Sequence, residues 1–226
     1  MTKRAVTNTN MASEFWFFSQ LHRLGYEAYI TLGNTKAIDI KVCLNDKKFS
    51  ALTFDVKGKR SFSQGSYPYI CDYKKWRRMH GNKYHYFVFV GLKARKDKNN
   101  ESKIIFEGEP QSNDPECFLI RADKLGQVAF QWSAKNKSHG KISKTCGFGF
   151  DPPILRYLKY RSESISEKLI QKFKNHHNIK GDIDFRKYKN IIITLKEFEN
   201  RFWKFKLTSK RQRAGHNKAS LKRGTK

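Results

Sequence analysis

Acidic residues are scarce in this chain, with 20 Asp and Glu against 47 Lys and Arg, for a formal net charge of +27. Such an imbalance says nothing of fold but favours a polyanionic partner. Long apolar runs are missing as well. No stretch approaches the ~18 residues that a membrane span needs, and Met1–Asn10 carries no charged-then-apolar leader. Nucleic acid, not a membrane, is therefore the expected partner, and the expected location is cytoplasmic or nucleoid-associated. Cysteine is sparse: Cys43, Cys71, Cys117 and Cys146 are far apart and show no CxxC spacing, which argues against zinc and fits reduced thiols. The adjacent His176-His177 would point about 100° apart on a helix and make a poor ligand pair. Gly147-Phe148-Gly149 lacks the GK[ST] ending of a phosphate loop, so it reads as an aromatic turn and no nucleotide cofactor is expected. Neither a Ser-His-Asp nor a Cys-His grouping is legible.

What is present is enough apolar material for a core: 38% hydrophobic and 14% aromatic residues over 226 positions, room for one substantial unit and a smaller second one. Met11–Leu24 reads as a helix opened by Thr9 or Asn10 and stopped by Gly25, with Glu14, Phe17, Phe18 and Leu21 on one face. Tyr26–Thr31 and a Gly33-Asn34 turn lead into strands near Ala37–Leu44 and Phe49–Gly58, joined by Asn45–Lys48. Tyr73–Met79 is a short basic helix, Lys83–Leu92 a central strand, and Lys93–Ser102 a solvated loop. Ile104–Phe106, Cys117–Ile120 and Val128–Trp132 are expected as short strands. The order helix, three strands, helix, strand describes a mixed α/β sheet.

Composition shifts at Asp151-Pro152-Pro153. Ile165, Leu169, Ile170 and Phe173 mark one amphipathic helix; Phe185, Tyr188, Ile192, Leu195, Phe198 and Phe202 keep helical spacing in a second segment, where Ile191–Thr194 also permits a strand. From Arg201 to Lys226 there are ten Lys or Arg and no acid, and from about Ser209 little remains to bury, as in a basic arm. The expected organisation is a core over residues 1–150, a basic helical extension over 151–208 and a tail over 209–226.

The chemistry is carried by strand parity. In Ala37–Leu44, Ile38, Ile40, Val42 and Leu44 point one way and Asp39 and Lys41 the other. In Ser50–Gly58, Leu52, Phe54 and Val56 share one face and Thr53, Asp55 and Lys57 the opposite one. Pairing the two strands brings Asp39, Asp55 and Lys57 to a common side. Two acids on a hairpin can hold Mg²⁺, which takes oxygen ligands and keeps waters and substrate oxygens.

Glu14 on the leading helix, Asp39 on a strand and Asp55-Val56-Lys57 on the next strand resemble the PD-(D/E)XK nuclease superfamily over about Met11–Leu92. The resemblance implies a restriction-endonuclease-like mixed β-sheet flanked by helices. It implies Mg²⁺ (with Mn²⁺ as substitute) on Asp39, Asp55 and Glu14, and a catalytic Lys57 at the attacking water or the phosphorane. It further implies a DNA endonuclease compatible with a homodimer. The chain departs from the pattern in Ile38, where the family name has proline, and in Asp55, where Glu is commoner. Lys59, Arg60, Lys74, Lys75, Arg77 and Arg78 lie near the proposed site in sequence, and Lys210, Arg211 and Arg213 in the tail; all are candidates to bind phosphates. Tyr67, Tyr69 and Trp76 are expected to pack in the core. Two other readings stay open: a non-catalytic nucleic-acid binder on a degenerate nuclease scaffold, and a basic structural protein of a nucleoprotein assembly.

Overall fold

A computed structural model describes residues 3–31, 38–43, 51–60, 69–92, 94–96, 104–106, 115–138, 141–161 and 165–200. The chain opens with α1 (Lys3–Arg23), followed by β1 (Ala28–Ile30), β2 (Ile40–Val42) and β3 (Leu52–Arg60). Then come β4 (Tyr69–Asp72), α2 (Tyr73–Met79), β5 (His85–Leu92), β6 (Ala94–Lys96), β7 (Ile104–Phe106) and β8 (Glu116–Arg121). A 3₁₀ turn (Ala122–Gln127) leads to β9 (Phe130–Ser138) and β10 (Lys141–Phe150). The C-terminal part holds α3 (Pro152–Tyr160), α4 (Glu167–His176), α5 (Phe185–Ile191) and β11 (Ile192–Thr194), with 195–200 helical.

Six strands form one mixed sheet in the order β1-β2-β3-β5-β8-β11. Among the described strands only the β3–β5 pair is parallel, and the segment through β4 and α2 supplies the crossover that a parallel pair requires. β4, β10 and β9 form a second, three-stranded sheet, and β6 pairs with β7. No helix among the described residues is long and apolar enough to cross a membrane.

β5 is buried along its whole length because both faces of the sheet are covered. Its Tyr86, Val88 and Val90 face the layer of α1, with Phe17, Leu21, Phe54, Val56 and Phe198. Phe87 and Phe89 face the other layer, built from Phe148, Phe150, Ile154, Leu155 and Phe173. Residues on either side of Asp151 thus share one apolar core, and Phe198 closes the α1 side against Phe54 and Tyr86 at 5.8 Å between ring centroids.

Several elements differ from the sequence reading. α1 starts at Lys3, so Thr9 and Asn10 lie inside the helix, and its innermost row is Thr9, Ser13, Phe17 and Leu21 at i, i+4 spacing. Gly147-Phe148-Gly149 is no turn: it belongs to β10, with Gly147 opposite Asp72 and Gly149 opposite Ile70. The expected loop Lys93–Ser102 contains β6, and the strand expected at Val128–Trp132 is the start of the longer β9. Ala37, Leu44, the Gly33-Asn34 turn and the Asn45–Lys48 connection lie outside the described residues.

Gly58 decides how closely α1 approaches β3. A Cβ there would fall 2.1 Å from Ser13 Oγ and 2.7 Å from the Thr9 carbonyl oxygen. Absence of a side chain on the strand and a small one on the helix allow that crossing.

Candidate functional site

The β2–β3 ladder pairs Ile40 with Phe54, so Asp39, one step further along, stands across from Asp55. The Asp39 N–H donates to Phe54 O at 2.8 Å, and Val56 N–H donates to Asp39 Oδ2 at 2.7 Å. Thr31, at the end of β1, braces the same backbone from the other side: its N–H donates to Asp39 O at 2.9 Å and its hydroxyl to Ile38 O and Asp39 O. The acid is therefore held by backbone groups of two neighbouring strands.

Asp55 is fully buried, and Lys57 Nζ, itself mostly covered, donates to Asp55 Oδ1. The sequence pattern puts Asp55 and Lys57 on the face away from α1, and the second core covers that face as well. Asp55 Oδ2 is buried and has no donor among the described residues; a protonated Asp39 is the neighbour able to offer one. Burial first, and then the adjacent Asp55 charge, push the Asp39 carboxyl up to about 7, against the opposing pull of Lys57 and the Val56 N–H. The Asp39 carboxyl therefore keeps its proton up to near neutrality.

His85 joins this group, and nothing in the sequence reading pointed to it. It opens β5 opposite Thr53 in the parallel register, and its Nδ1 lies 2.8 Å from Thr53 Oγ1. The ring is fully buried, and Nε2 has no hydrogen-bond partner among the described residues. Burial lowers its pKa to about 4; the Asp55 charge opposes that shift and the Lys57 charge adds to it. A neutral imidazole has one donor and one acceptor, so Nε2 takes whichever role Nδ1 does not use toward Thr53. The available signal was a His at the head of an otherwise apolar strand, His85-Tyr86-Phe87-Val88-Phe89-Val90.

Glu14 is half-buried on α1, one residue from the Ser13 that meets Gly58. Its helix covers the Val56 face of the sheet, opposite the face that carries Asp55. Lys74, Arg77 and Arg78 are exposed on α2, while Trp76 turns inward, donating through Nε1 to Ala122 O at 3.0 Å and meeting Phe148 edge-on. The side chains of Lys59, Arg60, Tyr69 and Lys75, all of Tyr67, and Lys210, Arg211 and Arg213 lie outside the described residues. His176 Nε2 accepts from Gln131 N–H at 2.9 Å, and His177 stacks against Phe173.

Two neighbouring carboxyl groups, one with an oxygen that has no donor among the described residues, suit a hard divalent cation, which needs one or two carboxylates and fills its remaining positions with water and substrate. Among the described residues no set of three or more His, Cys, Asp or Glu side chains is grouped to hold a metal ion. The chain matches no known family model, and no curated protein is significantly similar to it in sequence.

Proposed function

We propose that this chain is a metal-dependent endonuclease that hydrolyses phosphodiester bonds of DNA, on a sheet of the restriction-endonuclease-like kind. The observation that carries the reading is the pairing of Asp39 with Asp55 across one ladder, with Val56 N–H on Asp39 and Lys57 on Asp55. The element order supports it: α1, β1–β3, α2 and β5 follow the expected helix, three strands, helix and strand, with β4 as an intervening addition.

Asp39 and Asp55 would hold Mg²⁺ or Mn²⁺. When bound, the cation supplies a water of lowered pKa and neutralises charge at the phosphate. Lys57 contributes a fixed positive charge beside the pair, to offset negative charge that develops on a phosphoryl group. Val56 N–H and Thr31 keep Asp39 oriented, so little reorganisation is needed as substrate arrives. Lys74, Arg77 and Arg78 offer phosphate contacts that position DNA without reading its sequence.

One observation favours a second reading, a nucleic-acid binder that does not cut: the described residues offer two grouped carboxylates and no third acid. Incubation of supercoiled plasmid with protein and Mg²⁺ separates the two. The nuclease reading predicts nicked and linear products that vanish with EDTA and in Asp55→Asn, while the variant still retards plasmid in a gel. Intact plasmid under every metal tested, with retardation preserved, supports the binder instead.

A further inference from the structure

Lys159 is a buried lysine far along the chain from the acid pair. Its Nζ donates to Lys189 O at 2.9 Å, to Ile192 O at 2.6 Å and to Glu197 Oε2. Three acceptors on α5, β11 and the following helical turn tie the end of α3 to that corner. The contact also takes up the charge of Glu197, whose carboxyl burial alone would raise; hydrogen bonds from Lys159 and Thr194 outweigh burial and hold it below its ordinary range.

Beside this pin lies a cavity of about 760 Å³. Arg161, Arg186, Lys189 and Lys196 line it and are all exposed, and among the described residues no carboxylate lies within ion-pair distance of any of them. Arg161 follows α3 in the left-handed conformation, φ 57°, and its guanidinium lies 4.9 Å from the centre of the Phe185 ring. Tyr160, 56% exposed, presents an aromatic ring at the same rim.

Four cations with no acid partner among the described residues, in a concave surface with an accessible aromatic ring, match the chemistry of single-stranded nucleic acid: a phosphate track plus a base-stacking platform. A flat lipid surface makes no use of the concavity. We propose that this groove is a binding site for single-stranded polynucleotide, with Arg161, Arg186, Lys189 and Lys196 on phosphates and Tyr160 stacked on a base. It shares no residue with the Asp39–Asp55–Lys57 group and does not depend on the nuclease reading.

The test is fluorescence anisotropy of a labelled 20-nucleotide oligothymidylate with the full chain in EDTA, across a salt series. Arg186→Ser/Lys189→Ser/Lys196→Ser should weaken binding at least tenfold and flatten the log–log salt slope by about 2, since each phosphate contact on a single strand contributes about 0.7. Tyr160→Ser should cost about tenfold in affinity and leave the slope unchanged, because stacking involves no counterion. Circular dichroism of both variants verifies the fold. Natural affinity and slope in the folded triple variant would overturn the proposal. So would a loss confined to vesicles of anionic phospholipid, with oligothymidylate binding intact.

Discussion

Val56 N–H and Asp39 Oδ2 meet at 2.7 Å, so the residue between Asp55 and Lys57 contributes to the site through its backbone while its side chain fills the α1 core. The Asp-x-Lys spacing thus does two things. It sends Asp55 and Lys57 to one face, and it directs an amide at the acid of the neighbouring strand.

The raised Asp39 carboxyl predicts an unusual pH dependence. Asp39 ordinarily titrates at 3.8 and reaches about 7 in the fold, so the folded chain binds this proton more tightly than the unfolded one. Its contribution is complete below about pH 4 and is lost as pH rises toward 7. His85 and His177, lowered from 6.5 to about 4 mainly by burial, act in the opposite sense: their contribution is present above 6.5 and is lost as pH falls toward 4. Asp39→Asn removes the first effect alone. Denaturant unfolding of the variant should show stability rising with pH between 4 and 6.5 more steeply than in the natural chain, by up to about 1.4 kcal/mol per pH unit. Identical slopes would mean that Asp39 titrates as an ordinary surface acid.

Gly58 predicts a steric penalty. Gly58→Ala places a Cβ against Ser13 Oγ and the Thr9 carbonyl, and should destabilise by about 1–3 kcal/mol as α1 is displaced. Adding Ser13→Gly removes one of the two clashes and should recover part of that loss in thermal unfolding. No recovery would place the strain elsewhere.

Thr53 and His85 predict a coupled pair. His85→Leu leaves the buried Thr53 hydroxyl without its partner and should cost about 1–3 kcal/mol; Thr53→Val added to it should restore stability to within about 1 kcal/mol. Additive losses in the double-mutant cycle would show that the two groups do not depend on each other.

Much of this architecture was legible because strand parity is a local property. Leu52, Phe54 and Val56 face α1 as their alternation requires, and Asp39 meets Asp55 through the pairing that the alternation suggests. Tertiary contacts were not legible. Thr9 and Asn10 carry the preferences of a helix cap, yet packing of Thr9 and Ser13 on Gly58 keeps them inside a longer helix. In Gly147–Phe150 the glycines suggested a turn, while the alternation of Gly with Phe148 and Phe150, both fully buried, was the strand signal that mattered. His85 escaped notice because only the parallel pairing of β3 with β5, set by the intervening segment, brings it beside Thr53. Lys159 and Glu197 meet for the same kind of reason: α3 and the turn after β11 converge only in the folded chain.

Calorimetric titration of Mn²⁺ into the natural chain at pH 6, in two buffers of different ionisation enthalpy, tests the acid pair most directly. A cation bound by Asp39 and Asp55 must displace the proton they hold, so binding should release close to one proton, and both heat and release should disappear in Asp39→Asn and in Asp55→Asn. Absence of binding in the natural chain, or binding that survives in both variants, would contradict the account.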